Sequence, residues 1–173
     1  MSLINTEIKP FTAQSYKDGK FVTVSDADLK GKWSVVFFYP ADFTFVCPTE
    51  LEDLADNYDV FTRLGVEIYA VSTDTHFSHK AWHDSSPAIG KIKYHMVGDP
   101  SGTITNNFEV MRPGVGLADR GTFLIDPNGI VRFISVNDLS VGRNVEEVLR
   151  VLDALQTDKL CPCNWNKGEK TLN

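Results

Sequence analysis

The chain has 173 residues, of which 42% are hydrophobic and 23% charged, so it can bury a core as one compact domain. Its net charge of −6 excludes the basic surface that nonspecific nucleic-acid binding requires, and no segment approaches the roughly 20 apolar residues that span a bilayer. Three cysteines, an odd number, do not make a secreted disulfide framework, and the N-terminus lacks a secretory signal. We therefore expect a cytoplasmic protein with no nucleic-acid or membrane partner, whose thiols are redox-active or bind a metal.

Two short apolar runs, rich in β-branched and aromatic residues, predict strands that are buried on both faces. They extend from Trp33 to Tyr39 and from Val66 to Ser72. Between them, apolar residues recur at spacings of three and four over about four helical turns, at Leu51, Leu54, Ala55, Tyr58 and Phe61. A strand, a helix and a strand in this order predict a βαβ unit with two parallel strands.

The second half of the chain predicts a helix, a strand, a hairpin and a closing helix. The first helix runs from about Thr75 to Ser85, and the strand runs from Tyr94 to Val97. The hairpin strands, Thr122 to Ile125 and Ile130 to Ile134, flank a four-residue Asp-Pro-Asn-Gly turn. The closing helix runs from about Asn144 to Leu155, with one apolar face.

This order of elements predicts an α/β protein with a thioredoxin-like fold, in which helices flank a central mixed sheet. We expect a single domain over residues 1–173, with an N-terminal extension and a C-terminal arm at about 157–173. The arm has no helical or strand periodicity, and it carries two of the three cysteines, Cys161 and Cys163.

The third cysteine, Cys47, lies where the first predicted strand gives way to a helix. The first turn of a helix has unpaired backbone N–H groups, and the helix dipole favours negative charge there. A sulfur at this position tends to be a thiolate, which is the nucleophilic form. The sequence therefore predicts a reactive thiol at this junction.

The residues around this thiol resemble those of a known family. Pro40, Thr44 and Cys47 match the P-x-x-x-T/S-x-x-C signature of peroxiredoxins, and the run from Phe38 to Glu50 is similar throughout to the peroxidatic segment of typical 2-Cys members. Further matches lie in Val71 to Trp82, Gly116 to Phe123, Val141 to Arg143, and Cys161-Pro162. Within the family, the chain most resembles the bacterial alkyl hydroperoxide reductase C group. This resemblance implies a thiol-dependent peroxidase of antioxidant defence that reduces hydrogen peroxide and organic hydroperoxides.

The residue types also suit peroxide cleavage, in which a thiolate attacks one oxygen in line with the O–O bond. Such a site must keep the sulfur ionised, hold both oxygens and stabilise charge on the leaving oxygen. Thr44 can offer its hydroxyl to the sulfur or the peroxide, and Arg120 supplies a permanent charge and several N–H donors. Pro40 restricts the loop and can shield the sulfur from bulk water.

Three further site residues follow from the resemblance. It implies that Glu50 and Arg143 orient Arg120, and that Trp82 lines the pocket or packs beside it. Taken alone, a threonine near a helix start, a proline after a strand and a single arginine are more often structural than catalytic. We interpret them as catalytic because they occur together with the cysteine at family positions.

Attack on a peroxide leaves a sulfenic acid on Cys47, which a second thiol can trap as a disulfide. The resemblance implies that Cys161 is this resolving cysteine, and that it reaches Cys47 of a neighbouring subunit in a homodimer. Cys163 departs from the family, which commonly has a small residue there. It remains an alternative resolving residue, a partner for another group, or a packed side chain.

The resemblance also implies partners. The homodimers assemble into a decameric ring, and electrons reach the disulfide from a flavoprotein disulfide reductase or thioredoxin. The chain has no motif that binds a flavin or nicotinamide of its own, and we expect no cofactor and no metal.

Other functions remain alternatives. His76, His79 and His83 share one face of the predicted helix and could supply three ligands of a metal site, although a partly exposed histidine face explains the spacing as well. A thiol–disulfide oxidoreductase would have the same fold, but it normally uses a Cys-x-x-Cys pair that is absent at Cys47. A chaperone or assembly role would not require the reactive thiol.

Overall fold

A computed structural model describes residues 1–173 and contains one mixed sheet of seven strands. In chain order the strands are β1 (Thr12–Lys17), β2 (Lys20–Ser25), β3 (Trp33–Phe38), β4 (Val66–Ser72), β5 (His95–Gly98), β6 (Arg120–Ile125) and β7 (Val131–Asn137). Their order across the sheet is β2-β1-β5-β4-β3-β6-β7. The helices are α1 (Cys47–Asp56), α2 (Tyr58–Arg63), α3 (His76–Ser85), α4 (Thr103–Asn107) and α5 (Val145–Gln156), with short 3-10 turns at Asp26–Leu29 and Ile89–Lys91.

The centre of the sheet confirms the predicted βαβ unit. β3 pairs in parallel with β4, from Trp33 opposite Val66 to Phe38 opposite Val71. β4 is parallel to β5, whereas β3 and β6 are antiparallel, so the sheet is mixed as predicted. The side chains of β3 from Val35 to Phe38 are almost completely buried, which explains the continuous apolar run. The predicted α/β, thioredoxin-like fold is therefore confirmed.

The prediction of one continuous helix between β3 and β4 was wrong. The helix breaks at Asn57, where α1 ends and α2 begins, and the side-chain amide of Asn57 donates to the carbonyl of Asp53 over 2.8 Å. Asparagine competes for backbone groups in this way and favours helix ends. The apolar face continues across the break, because Leu54 and Phe61 are both fully buried. The spacing of the apolar residues therefore gives no sign of the break at Asn57.

The sequence interpretation also missed the N-terminal hairpin of β1 and β2. These strands are antiparallel and joined by Asp18 and Gly19, with φ of 50° and 78°. An Asp-Gly pair with two positive φ angles is typical of a tight hairpin turn, so a signal was present. Polar residues interrupt both strands, and most positions are exposed or only partly buried, so neither strand forms a continuous apolar run.

The chain divides into two compact units, Met1–Arg143 and Asn144–Asn173. The first contains the whole sheet and α1 to α4. In the second, Arg150 of α5 donates to the carbonyl of Trp165 over 2.8 Å, and the N–H of Leu172 donates to the carbonyl of Leu160 over 2.8 Å. No helix in the structure has the length and apolar character needed to cross a membrane. The single domain with an arm stays a prediction.

His95 provides a pH test of the sheet. Its ring stacks on Tyr69 at 4.8 Å, with Nδ1 3.2 Å from the Ser15 hydroxyl, and burial lowers the pKa of His95 from 6.5 to about 4. Between these values the unfolded chain binds a proton that the folded chain does not, so the free energy of unfolding falls as the pH falls from about 6.5 to 4. In His95→Gln this part of the pH dependence is lost. Urea unfolding across that range measures it, and parallel curves for the two proteins would contradict the assignment.

Candidate active site

Cys47 is the first residue of α1, directly after the loop 39–46 that follows β3. Its side chain is a free thiol and is 1% exposed. Pro48 lies in the first turn, where a proline is tolerated because an N–H group there has no helical partner. The local sequence therefore starts the helix at the cysteine and directs the positive end of the helix dipole at the sulfur.

Arg120 brings a fixed positive charge to this sulfur from the first residue of β6. Its Nη1 donates to Cys47 Sγ over 3.3 Å and to Glu50 Oε1 over 2.7 Å, while Nε donates to the carbonyl of Leu139 over 2.7 Å. A guanidinium group held by three partners cannot turn away from the sulfur without losing hydrogen bonds. The contact stabilises negative charge on Cys47 Sγ.

Glu50 and Arg143 complete the buried charge cluster. Arg143 donates to the Glu50 carboxylate from Nε over 2.6 Å, from Nη2 over 3.1 Å and from its backbone N–H over 2.9 Å. Its Nη1 donates to the carbonyl of Gly121 over 2.9 Å, and its guanidinium carbon lies 3.4 Å from the ring centroid of Phe37. Burial lowers the pKa of Arg143, and the hydrogen bond that Arg143 donates to Glu50 opposes this shift.

The charges in this cluster do not balance without the sulfur. The side chains of Glu50, Arg143 and Arg120 are only 2% to 5% exposed, so water screens them weakly. Two guanidinium groups share one carboxylate, which leaves one positive charge in excess. A thiolate at Cys47 would neutralise that charge and would accept the hydrogen bond from Arg120 Nη1.

Pro40 and Thr44 lie in the loop that precedes this helix start, and they differ in how exposed they are. Pro40 is buried, whereas Thr44 is exposed and its hydroxyl donates to the carbonyl of Ala41 over 2.8 Å. The oxygen of Thr44 therefore keeps its lone pairs to accept a further hydrogen bond. Trp82 of α3 is buried and packs against Tyr39 and Phe43, with ring centroids 6.1 and 5.8 Å apart.

The other two cysteines lie in the second unit, and both are free thiols. Cys161 is partly buried, with Sγ 3.5 Å from the Thr157 hydroxyl and 3.8 Å from the carbonyl of Ala154. Cys163 is exposed. The resolving role of either cysteine stays a prediction.

The three histidines do not form one exposed face. His79 is fully buried and contacts Asp42 and the carbonyl of Val97, while His83 Nε2 lies 3.0 Å from the carbonyl of Ile92. The partly exposed face expected from the spacing is therefore wrong for His79. No three His, Cys, Asp or Glu side chains are grouped to hold a metal ion.

The sequence did not predict the groups outside the buried charge cluster that hydrogen-bond to its arginines. The carbonyls of Leu139 and Gly121 fix the two arginines, and any residue type supplies such a carbonyl, so no signal was available. Asp42 lies inside the run from Phe38 to Glu50, but the sequence did not predict a role for it. A charged residue between Ala41 and Phe43, in a loop that is otherwise largely apolar, is a signal for a buried and partnered carboxylate.

Comparisons with known proteins agree with this geometry. Residues 4–134 match the model of the AhpC/TSA family. The chain is 55% identical to alkyl hydroperoxide reductase C of Escherichia coli K12 and 52% identical to that of Bacillus subtilis 168, in each case over 99% of this chain and 95% of the relative. The crystal structure of Enterococcus faecalis AhpC superimposes with a TM-score of 0.90 at 46% identity, over 94% of this chain and all of that one. The reduced 2-Cys peroxiredoxin of Plasmodium vivax superimposes with a TM-score of 0.95 at 35% identity, over 99% of this chain and 93% of that one.

The Glu50 carboxylate is expected to be critical for stability. Glu50→Gln leaves two buried guanidinium groups without their counter-charge, and we expect it to lower the free energy of unfolding by about 3 kcal/mol or more. Glu52→Gln is the matched control on the same helix. Its pair with Lys91 is exposed and screened by water, so we expect a much smaller effect from this control. Urea unfolding of both variants makes the comparison, and equal effects would contradict the role assigned to the cluster.

The Arg120 charge is expected to govern the reactivity of the thiol. In Arg120→Gln the sulfur loses a cationic donor, so the rate of Cys47 alkylation by iodoacetamide at pH 7 should fall about tenfold. Arg112→Gln removes a partly exposed arginine 3.6 Å from Asp119 and should leave the rate unchanged. An unchanged rate in Arg120→Gln would show that the helix start alone activates the sulfur.

Proposed function

We propose that Cys47 is the thiol that attacks peroxide. The chain belongs to the AhpC/TSA family and is a thiol-dependent peroxidase. The observation that carries the proposal is the 3.3 Å contact from Arg120 Nη1 to Cys47 Sγ, within a buried cluster that has one excess positive charge without the thiolate. Hydrogen peroxide and organic hydroperoxides are the substrates. The names of the relatives, alkyl hydroperoxide reductase C, support the organic class.

In the first step the Cys47 thiolate attacks one peroxide oxygen. An S–O bond forms, the O–O bond breaks, and the second oxygen leaves as an alkoxide or hydroxide that takes up a proton. The sulfur loses two electrons and becomes a sulfenic acid. Because Arg120 is already fixed beside the sulfur, its N–H groups can stabilise the charge that develops on the oxygens without reorganising.

Thr44 and Pro40 make the site selective for peroxide over other electrophiles. The hydroxyl proton of Thr44 is engaged with Ala41, so its oxygen is suited to accept a hydrogen bond from a peroxide O–H. Pro40 is buried in the same loop and limits water near the sulfur. Glu50 and Arg143 act as positioning residues for Arg120, and Trp82 packs against Phe43 in the loop.

In the second step Cys161 of a neighbouring subunit attacks the sulfenic sulfur. A disulfide between the two subunits forms, and the hydroxyl leaves as water. This requires a homodimer, and we extend the proposal to a ring of five such dimers. The disulfide is reduced by a flavoprotein disulfide reductase or by thioredoxin, which returns two electrons in the cytoplasm.

Cysteine variants test both steps. Wild type and Cys163→Ser, treated with hydrogen peroxide and run on a nonreducing gel, should give a disulfide-linked dimer, whereas Cys47→Ser and Cys161→Ser should not. Cys47→Ser should also lose peroxide consumption. Each variant replaces one sulfur atom by an oxygen, a near-isosteric change that we expect to preserve the fold.

Two outcomes would overturn parts of the proposal. A dimer band that persists in Cys161→Ser and disappears in Cys163→Ser would move the resolving role to Cys163. Consumption of peroxide by Cys47→Ser at the wild-type rate would remove Cys47 from the reaction.

A further inference from the structure

A second buried polar cluster holds the loop that carries Pro40 and Thr44. At its centre Asp42 Oδ2 lies 2.7 Å from His79 Nδ1, and both side chains are completely or almost completely buried. The carboxylate also accepts hydrogen bonds from the Tyr39 hydroxyl over 2.7 Å and the Ser78 hydroxyl over 2.9 Å. Burial, together with the charge of Asp42, raises the pKa of Tyr39, so its hydroxyl stays a donor.

His79 is fixed at both ends of its ring. Nε2 lies 3.0 Å from the carbonyl of Val97 in β5, and a carbonyl can only accept, so Nε2 carries a proton. Nδ1 faces the Asp42 carboxylate over 2.7 Å and also lies 3.3 Å from the Tyr39 hydroxyl, so both ring nitrogens have a polar partner. The loop is thereby connected through the buried Asp42–His79 contact to α3 and to the sheet.

The backbone of the loop is held at the same residue. The N–H of Asp42 donates to Asp74 Oδ2 over 2.9 Å, and that oxygen also accepts the Ser72 hydroxyl over 2.6 Å. Ser72 is the last residue of β4, and Asp74 lies two residues beyond it. Side chain and main chain of Asp42 are therefore anchored to different elements, which fixes both its position and its direction.

The next residue, Phe43, has a φ of 58°. A residue with a Cβ atom adopts this left-handed conformation only when its surroundings require it. Phe43 joins the anchored Asp42 to Thr44, so the anchor and the strained residue together determine where the Thr44 hydroxyl lies. Loss of the anchor would let Phe43 relax and would displace Thr44.

We propose that the Asp42–His79 pair is a positioning device that holds Thr44 and Pro40 in the geometry required for peroxide cleavage. The inference rests on the proposed function, and it concerns residues that act through the loop without touching the reacting atoms. The Arg120 cluster shares no hydrogen bond with Asp42 or His79. The two supports therefore control different properties: Arg120 controls the charge of the sulfur, and the pair controls alignment of the peroxide.

This separation predicts a change in selectivity. His79→Gln and Asp42→Asn keep similar volumes but disrupt the Asp42–His79 contact, so the rate constant of Cys47 with hydrogen peroxide should fall about tenfold or more. Alkylation of Cys47 by iodoacetamide needs only the thiolate and access to it, and it should change less than about threefold. Competition with a reporter peroxidase measures the first rate, and mass spectrometry of the alkylated thiol measures the second.

Two further variants make the test decisive. His83→Gln replaces a histidine of the same helix that contacts the Ile92 carbonyl and not the loop, and it should leave both rates unchanged. Tyr39→Phe removes one of the three side-chain partners of Asp42, and we expect it to lower the ratio of the peroxide rate to the alkylation rate several-fold. This variant keeps the inference testable if His79→Gln and Asp42→Asn do not fold. Near-ultraviolet circular dichroism identifies the variants that have the native fold.

The outcomes separate the inference from the proposed function. A wild-type ratio in Tyr39→Phe and in every other folded variant would overturn the inference, and so would an equal fall of both rates. If the proposed function were wrong, the wild-type protein itself would keep its free Cys47 thiol when peroxide is added.

Discussion

The Glu50 carboxylate lies between two buried guanidinium groups, and the geometry around Cys47 depends on it. Glu50 is in the first turn of α1, Arg120 begins β6, and Arg143 follows β7, so the carboxylate ties three separate parts of the chain to one point. Without it the two arginines would repel each other in a medium that screens charge weakly. Its burial is compensated by hydrogen bonds from both cations and from the backbone N–H of Arg143.

A thiolate alone reacts with many electrophiles, so the charge cluster does not explain selectivity for peroxide. Selectivity needs a surface that fixes the two oxygens relative to the sulfur, and in the proposed mechanism this surface belongs to the loop 39–46. The loop contains Phe43 in a left-handed conformation, which costs free energy and would relax without external contacts. Charge and alignment are thus supplied by two buried networks on different elements, and each can be changed separately.

The sequence predicted the central strands well, because β3 and β4 are buried on both faces and show this as continuous apolar runs. It failed where polarity or a single residue decided the structure, as in the β1–β2 hairpin and the break at Asn57. At the site, Cys47 could be predicted from its position between strand and helix. The contacts of Arg120 could not, because 73 residues separate it from the cysteine and one of its partners is a main-chain carbonyl. The resemblance to a family identified the site residues, whereas their hydrogen-bond partners and distances could be read only from the structure.

The burial of Cys47 suits the first step of the proposed cycle and opposes the second. A peroxide is small enough to approach a sulfur that is 1% exposed, but a thiol on another polypeptide is not, so a disulfide with Cys161 requires the start of α1 to open. The helix start permits this, because Val46 precedes it without a side-chain cap and capping groups are what usually hold a first turn. Glu50 is the fourth residue of α1, and its bonds to the arginines oppose opening beyond that turn. The charge cluster beside the sulfur therefore also opposes unwinding of α1 beyond its first turn while the disulfide forms.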